Sequence, residues 1–514
     1  NKAIKNGSHR KDKETADLED VIKLSDKLRV HFFKTKLTYS EASDALLMSL
    51  YTLLPPSRSE TFANLHIYTG KNKPEDNTKN YLWIKNKSSV FLVLNSLYFV
   101  EINHIQCNKF AKKLNMQSQD LVKLAEEFGS PLYVYDAEKI KTQFNRLNSA
   151  FSKVPRLRIN YAVKALSNIA VLQLLKSIGS NLDTVSIQEV KLGLYAGFNP
   201  DQIIYTPNGV SFEEIEEAAA LGVQINIDNL SVLEHFGTKH PKVPVCIRIN
   251  PHVMAGGNSN ISVGHIDSKF GISIHQMPHI LRIVENTKMH INGIHMHTGS
   301  DILDIEVFLY AAEILFEAAN NFKTLDFLDF GSGFKVPYNK GDIETNIEEL
   351  GKKLSKRFLA FEASYGRELT LAFEPGKFLV SEAGYFLAKV NVVKQTTSTV
   401  FAGIDSGFNH LIRPMLYGSQ HYIENISNPK GKERFYTVVG YICETDTFAN
   451  NRRIAEIKEG DLLCFRNAGA YCFSMSSNYN SRYKPAEVLW KEGKGILIRA
   501  RETFEDLLKN QIAL

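Results

Sequence analysis

From about residue 118 onward, short apolar runs alternate with longer amphipathic stretches along the chain. Short runs rich in β-branched and aromatic residues predict strands, whereas stretches that are apolar at every third or fourth position predict helices. The predicted strands are Arg158–Val163, Asn181–Val185, Gln202–Tyr205, Val223–Ile227, Val243–Ile249, Ile291–Met296, Phe327–Phe330 and Leu369–Phe373. Between them fall helical patterns such as Ile169–Ile178, Phe212–Leu221, Ile305–Asn320 and Ile347–Ser364. Eight strand–helix units in roughly 230 residues have the count and length of a (β/α)8 barrel.

The rhythm differs on either side of this region. Ser118–Phe128 reads as a helix with an N-cap serine and Gly129 as its stop, followed by a strand at Leu132–Tyr135. After Gly384 the pattern becomes strands joined by turns: Tyr385–Val393, Val400–Ile404, Arg434–Tyr441, Asp461–Arg466, Ala486–Leu489 and Gly495–Arg499, closed by a short helix at Phe504–Gln511. The expected fold class is therefore α/β plus β, a (β/α)8 barrel with a C-terminal mostly antiparallel β domain. Expected divisions are 1–114 as an appended segment of unknown role, 115–137 as a helix and strand joining the β domain, 138–385 as the barrel and 386–514 as the β domain.

Residues 1–114 have another character. Asn1–Asp20 is polar and lysine-rich and is expected to be disordered. Thr38–Leu54 suits a helix stopped by Pro55-Pro56, and the strand-like runs Leu65–Thr69, Tyr81–Ile84 and Val90–Leu94 follow. Leu50–Arg58 resembles the arginine-bearing segment of viral tyrosine recombinases, without a downstream His-x-x-Arg or tyrosine nucleophile. An inert appended module is expected here.

Composition narrows the class. Of 514 residues, 44% are hydrophobic and 23% charged, as in ordinary globular proteins, and a net charge of +5 is too mild to argue for nucleic acid. Five scattered cysteines without CxxC spacing argue against a disulfide framework or zinc site and favour a reducing, cytoplasmic setting. The longest apolar stretch, Val90–Val100, is interrupted by Asn95 and Ser96 and is too short to span a bilayer, so no membrane contact is expected.

Barrel active sites lie at the C-terminal ends of the strands. Polar residues and glycines do collect at those ends: Lys164, Asp183 and Ser186, Asn208, Asp228, Asn250, His297 with Gly299-Ser300, Gly331-Ser-Gly333, and Glu374. Lys164 at the end of an apolar strand is either a rim lysine that reaches water or a covalently used amine, since an unpaired buried lysine is costly. Gly331-Ser-Gly333 and Ser300 offer donors and close approach to a phosphate, although glycines at strand ends also simply turn the chain. His295 and His297 share a strand face; without an evident third metal ligand, His297 suits stacking on a flat ring and His295 suits barrel packing. Glu374 could hold a pyridine nitrogen protonated through a charge-assisted bond, or merely cap a Pro-Gly turn.

Seven ordered motifs carry a resemblance: Tyr161-Ala-Val-Lys164, His297-Thr-Gly-Ser300, Gly331-Ser-Gly333, Glu374-Pro-Gly-Lys377, Arg413-Pro-Met-Leu-Tyr417, Cys443-Glu444-Thr-Asp446 and Gly469-Ala-Tyr471. From about Gln117 to Arg501 the chain resembles the diaminopimelate decarboxylases, pyridoxal 5′-phosphate enzymes of the alanine-racemase-like fold. The resemblance implies decarboxylation of meso-2,6-diaminopimelate to L-lysine and CO2, the last step of lysine biosynthesis. It casts Lys164 as the Schiff-base lysine, His297 on the cofactor ring, and Ser300, Gly331, Gly333 and Tyr471 at the phosphate. Glu374 would face the ring nitrogen, with Asp183, Ser186 and Glu189 in support. Lys377, Arg413, Tyr417, Glu444 and Tyr471 would meet the amino-acid substrate, and no metal is implied.

By the same resemblance, Cys443 and Glu444 would be delivered across a homodimer interface into a shared site, with Cys443 as the candidate proton donor. The family usually has arginine where Lys377 stands, so the charge is kept and the two-pronged geometry lost, at a cost of about 1 kcal/mol. The alternatives are a decarboxylase of ornithine, arginine or carboxynorspermidine, and a catalytically silent regulator. Glu444 favours diaminopimelate over a substrate with a lone distal ammonium, and the presence of Lys164, Glu374 and Cys443 speaks against a silent relative.

Overall fold

A computed structural model describes residues 116–253, 268–339 and 341–514, together with the backbone of four strands between residues 66 and 103. The expectations for Asn1–Asp20, Thr38–Leu54 and Leu50–Arg58 lie outside the described residues. Contacts divide the chain into two units, Asn1–Met116 and Gln117–Leu514.

In the first unit, β1 (His66–Thr69), β2 (Tyr81–Asn86), β3 (Ser89–Leu94) and β4 (Tyr98–Asn103) form one sheet in that order. β1 runs parallel to β2, and the other pairs are antiparallel.

The second unit opens with α1 (Ser118–Phe128), β5 (Leu132–Asp136) and α2 (Ala137–Ala150). The barrel strands are β6 (Leu157–Ala162), β7 (Asn181–Thr184), β8 (Ile203–Tyr205), β9 (Gln224–Ile227), β10 (Val245–Asn250), β12 (Ile291–Met296), β13 (Phe327–Asp329) and β14 (Thr370–Phe373). All pair in parallel, and β14 pairs with β6, which closes the ring. A two-residue strand, β11 (Ile272–Ser273), adds to β10 outside the ring.

The helices between the strands start where the sequence supplies a cap. Asn168 precedes α3 (Ile169–Ser177), Ser186 precedes α4 (Ile187–Tyr195), Ser211 precedes α5 (Phe212–Ala220) and Asn229 precedes α6 (Leu230–Lys239). Each side-chain oxygen accepts an N–H from the first helical turn, which is otherwise without a partner. α7 (Met277–Thr287), α8 (Ile305–Ala319) and α9 (Ile347–Tyr365) complete the outer ring. Strand alternation divides the side chains between helices and barrel interior. On β14, Phe373 packs on Phe151, Phe308, Phe330 and Phe334 at ring-centroid distances of 4.6 to 6.4 Å. The next residue, Glu374, faces the cavity.

After α10 (Lys377–Val380), the long β15 (Gly384–Gln395) leads into the second sheet. It contains β16 (Val400–Ile404), β18 (Glu433–Val439), β19 (Thr447–Ala455), β20 (Leu462–Phe465), β21 (Ala486–Lys491) and β22 (Lys494–Arg499). β17 (Ile423–Asn425) pairs with β20, and α11 (Arg413–Tyr417) lies between β16 and β17 in sequence. The order β19-β18-β16-β15-β5-β21-β22 places the early strand β5 inside the sheet, antiparallel to β15 and parallel to β21. α12 (Phe504–Leu508) ends the fold.

β17 and β19 are absent from the sequence-based prediction for a physical reason. β17 has only three residues, and β19 carries the polar run Asn450-Asn-Arg-Arg453, broken by Asn451 at φ 51°. That residue accompanies register shifts against β18, so neither element shows a clean apolar alternation.

Candidate active site

A cavity of about 440 Å³ opens at the C-terminal ends of the barrel strands, lined by Lys164, Asp183, Thr206, Arg248, His297, Ser300, Gly333 and Glu374 from the barrel. Lys377, Arg413, Tyr417 and Tyr471 line it from beyond the eighth strand.

Lys164 lies one step past the predicted arrangement. β6 ends at Ala162, and Val163–Ala165 form a 3₁₀ turn that lifts the lysine off the strand. Its side chain is 42% exposed and its Nζ is 3.2 Å from Oδ2 of the buried Asp183. Burial disfavours the ammonium, but Asp183, Tyr471 and Glu374 outweigh it and the net shift is upward. Asp183 is also raised, first by its own burial and then by the Glu374 charge. Tyr471 reaches this turn from the second sheet: its N–H donates to the Ala165 carbonyl at 2.8 Å, and its φ of 56° is left-handed.

Ser186 and Glu189 serve the backbone in this chain. Ser186 Oγ accepts the Glu189 N–H at 3.2 Å, and Glu189 accepts the Val185 N–H at 2.9 Å. They hold the turn after Asp183 at the start of α4.

The glycine loop is shaped by close approach. Gly331 (φ 61°) has room only for hydrogen, since a Cβ would come within 2.6 Å of the Met296 carbonyl oxygen and 2.7 Å of His297 Nδ1. Gly333 (φ 117°) is closed against the Gly299 carbonyl in the same way. The Ser332 N–H donates to His297 Nδ1 at 3.3 Å, fixing the imidazole that lines the cavity. Burial and the nearby Arg248 hold that ring's pKa well below the usual histidine range, so it is neutral.

Below the cavity, His295 does more than pack. Its Nε2 lies 2.9 Å from Glu374 Oε2, with both side chains buried. Burial raises the Glu374 carboxyl to about 7 against the opposing influence of Lys164 and Arg248. Asp329 sits alongside and is raised well above the carboxylate range, first by burial and then by Glu374. Its oxygens accept from Asn160 at 3.1 Å and from the Gly331 N–H at 2.8 Å. His295, Asp329 and Glu374 bring ligand-type atoms within 4.8 Å of one another, a grouping that the His295/His297 spacing does not reveal.

On the far wall, Lys377 is buried and paired with Asp301 at 2.5 Å, a partner absent from the sequence reading. Its pKa is lowered by burial, against the pull of Asp301. Arg413, also buried, lies 5.6 to 6.0 Å from the ring centroids of Tyr338, Tyr417 and Tyr471, and its Nε has no partner among the described residues. Arg248 could have been found: it is a charge in the middle of the apolar strand Val245-Cys-Ile-Arg-Ile-Asn250.

Cys443 and Glu444 do not line this cavity. Both are exposed, on the connection between β18 and β19. Asn480 accepts the Cys443 N–H and donates to its Sγ, both at 3.2 Å, and the Tyr479 hydroxyl donates to Glu444 at 3.0 Å. Asp446, buried, roots the loop by accepting the Phe408 and Ile442 N–H groups at 2.6 and 2.9 Å.

The residues fit pyridoxal phosphate. A lysine stands at the cavity beside a carboxylate, glycines leave a cradle that a Cβ would fill, and Glu374 Oε1 is buried without a partner among the described residues. A protonated ring nitrogen would satisfy that oxygen.

Known proteins agree with this chemistry. The family described as "Pyridoxal-dependent decarboxylase, pyridoxal binding domain" matches residues 137–381. The chain is 41% identical over 402 residues to diaminopimelate decarboxylase of Methanothermobacter thermautotrophicus, covering 76% of this chain and 94% of that protein. It is 37% identical over 406 residues to the Campylobacter jejuni enzyme of the same name, covering 77% and 98%. The crystal structure of Helicobacter pylori diaminopimelate decarboxylase complexed with L-lysine superposes with a TM-score of 0.70 at 32% identity, over 76% of this chain and 98% of that one.

Proposed function

Because the chain belongs to the pyridoxal-dependent diaminopimelate decarboxylases, we propose that it removes CO2 from meso-2,6-diaminopimelate and releases L-lysine. The observation that carries this reading is the convergence of Lys164, Asp183, His297 and Glu374 with Arg413 and Tyr417 on one cavity.

Bound pyridoxal phosphate supplies the electron sink for the pair released when the carboxylate leaves as CO2. Lys164 would anchor it through Nζ, and Asp183 Oδ2, 3.2 Å away, would take up the proton that the ammonium must lose before it can do so. His297 would cover the ring, Ser300, Gly331, Gly333 and Tyr471 would hold the phosphate, and Glu374 would face the ring nitrogen. Arg413, Tyr417 and Lys377 take the substrate carboxylate not lost.

Cys443 Sγ is the donor of the proton that replaces CO2, and Glu444 meets the distal ammonium. Both are exposed in one chain, so the reading includes a homodimer in which the loop of one copy enters the cavity of the other. Among the described residues, Cys246, Cys443, Cys464 and Cys472 are free thiols, which suits a reducing cytoplasm. Among the described residues, no helix is long and apolar enough to cross a membrane.

The test is to purify the protein with pyridoxal phosphate, record its visible absorption, and assay lysine from meso-diaminopimelate beside Lys164→Ala. An absorption band and lysine release that are both lost in the variant support the reading. A band without lysine moves the substrate to ornithine, arginine or carboxynorspermidine, and no band at all overturns the enzyme reading.

A further inference from the structure

We propose that His295 is a positioning residue for cofactor chemistry: its Nε2–H holds Glu374 Oε2, so that Oε1 alone is offered to the cofactor's ring nitrogen. The inference rests on the cofactor reading above, but assigns a role to a residue that neither the motifs nor the cavity lining includes.

His295 lies on β12 and Glu374 just past β14, with side chains 1% and 7% exposed, and the 2.9 Å contact joins them across the barrel interior. Glu374 Oε1 and His295 Nδ1 are both buried without a partner among the described residues, so the contact uses one atom from each group and leaves one. Burial disfavours an imidazolium here, with Arg248 and Lys164 acting in the same direction and Asp183 and Asp228 opposing it. A neutral ring has a single N–H. On Nδ1 that hydrogen would be a buried donor without an acceptor, which is costly; on Nε2 it meets the carboxylate.

The contact orients Glu374 without adding a positive charge beside it. A cationic partner in the same place would stabilise the carboxylate and weaken its hold on a proton shared with the ring nitrogen. A neutral imidazole donor leaves the carboxyl raised to about 7. Asp329 has both oxygens occupied, by Asn160 and the Gly331 N–H. His295 and Glu374 are bonded to each other, so hydrogen bonds within the protein already engage all three groups.

The test uses full-length holoenzyme labelled with 15N-histidine, with His295 assigned by His295→Gln. The expected signal is a neutral Nε2–H tautomer that does not titrate between about pH 5.5 and 9. An Nδ1–H tautomer or an imidazolium in that range overturns the proposal. In parallel, His295→Phe, which removes the donor, is expected to weaken pyridoxal phosphate binding about tenfold and to move the pH dependence of its visible band; His295→Gln, which keeps an N–H donor, stays within about threefold of wild type. A folded His295→Phe with wild-type affinity and an unmoved band also overturns it. If that variant does not fold, the wild-type tautomer still decides. Failure of the wild-type chain to bind pyridoxal phosphate at all would sink the cofactor reading instead, with the tautomer still readable.

Discussion

The barrel interior and the Cys443–Glu444 loop both carry residues read as essential, yet they are built in opposite ways. In the interior, Asp183, His295, Asp329 and Glu374 are buried and displace one another's protonation, so their chemistry is set by burial. On the loop, Cys443 and Glu444 face solvent, while Ile442 and Asp446 beside them are buried. Side-chain braces from Asn480 and Tyr479 set their geometry. The difference is instructive. The interior groups sit where water cannot respond to their charge, whereas under the proposed reading the loop groups wait on the outside for a second copy to supply their burial.

The comparison can be broken in order of effect. Lys164→Ala is expected to lower kcat by on the order of 10³-fold or more and to remove the visible band, measured by lysine release and absorption. Cys443→Ala should lower kcat by roughly 10²- to 10⁴-fold, the range for loss of a general acid, while leaving the band intact. Mixing these two inactive variants under subunit exchange should restore about a quarter of wild-type activity if sites are shared between copies. No recovery after proven exchange would remove the outward half of the comparison.

A third measurement addresses burial. The carboxyl of Glu374 is raised in the folded state from its ordinary value of 4.5 to about 7, so the folded chain binds a proton that the unfolded chain has released. Its contribution to stability is therefore full below pH 4.5 and is lost as pH rises through about 7. The thermal midpoint of cofactor-free protein should fall across that window relative to Glu374→Gln, and parallel profiles would show that the carboxyl is unshifted. A smaller effect is expected at the cavity wall: Lys377→Arg should lower KM only a few-fold with kcat unchanged, because a second prong is worth about 1 kcal/mol. Smallest, Asn480→Ala should change the rate of Cys443 alkylation by iodoacetamide about two- to threefold, as for one exposed hydrogen bond.

Much of this was legible in the sequence because strands and helices announce themselves by period and caps, and barrel topology then dictates which residues meet. Lys164, Asp183, His297, Gly333 and Glu374 are far apart in sequence yet reach one cavity, since each lies at or just past the end of a strand of the same ring. The role of His295 was hidden by its setting. An imidazole flanked by Ile294 and Met296 looks like filling, and its carboxylate partner lies 79 residues away. Asp301 was equally silent, since a left-handed residue after Gly299-Ser300 gives no sign that it will pair with a buried lysine. Asn480 follows the same rule: side-chain partners brought together by loop geometry leave no period to detect.

The position of β5 has a consequence for how the chain is made. Leu132–Asp136 emerges from the ribosome before any barrel strand, yet one of its neighbours, β21, comes some 350 residues later. During synthesis, that edge must stay unpaired while the whole barrel assembles downstream. Tyr471, which braces the lysine turn, belongs to the same late segment. A ribosome that stops before residue 471 therefore releases a chain with a complete ring, an open strand edge and an unbraced lysine turn, so that turn gains its brace only after every strand of the ring has been made.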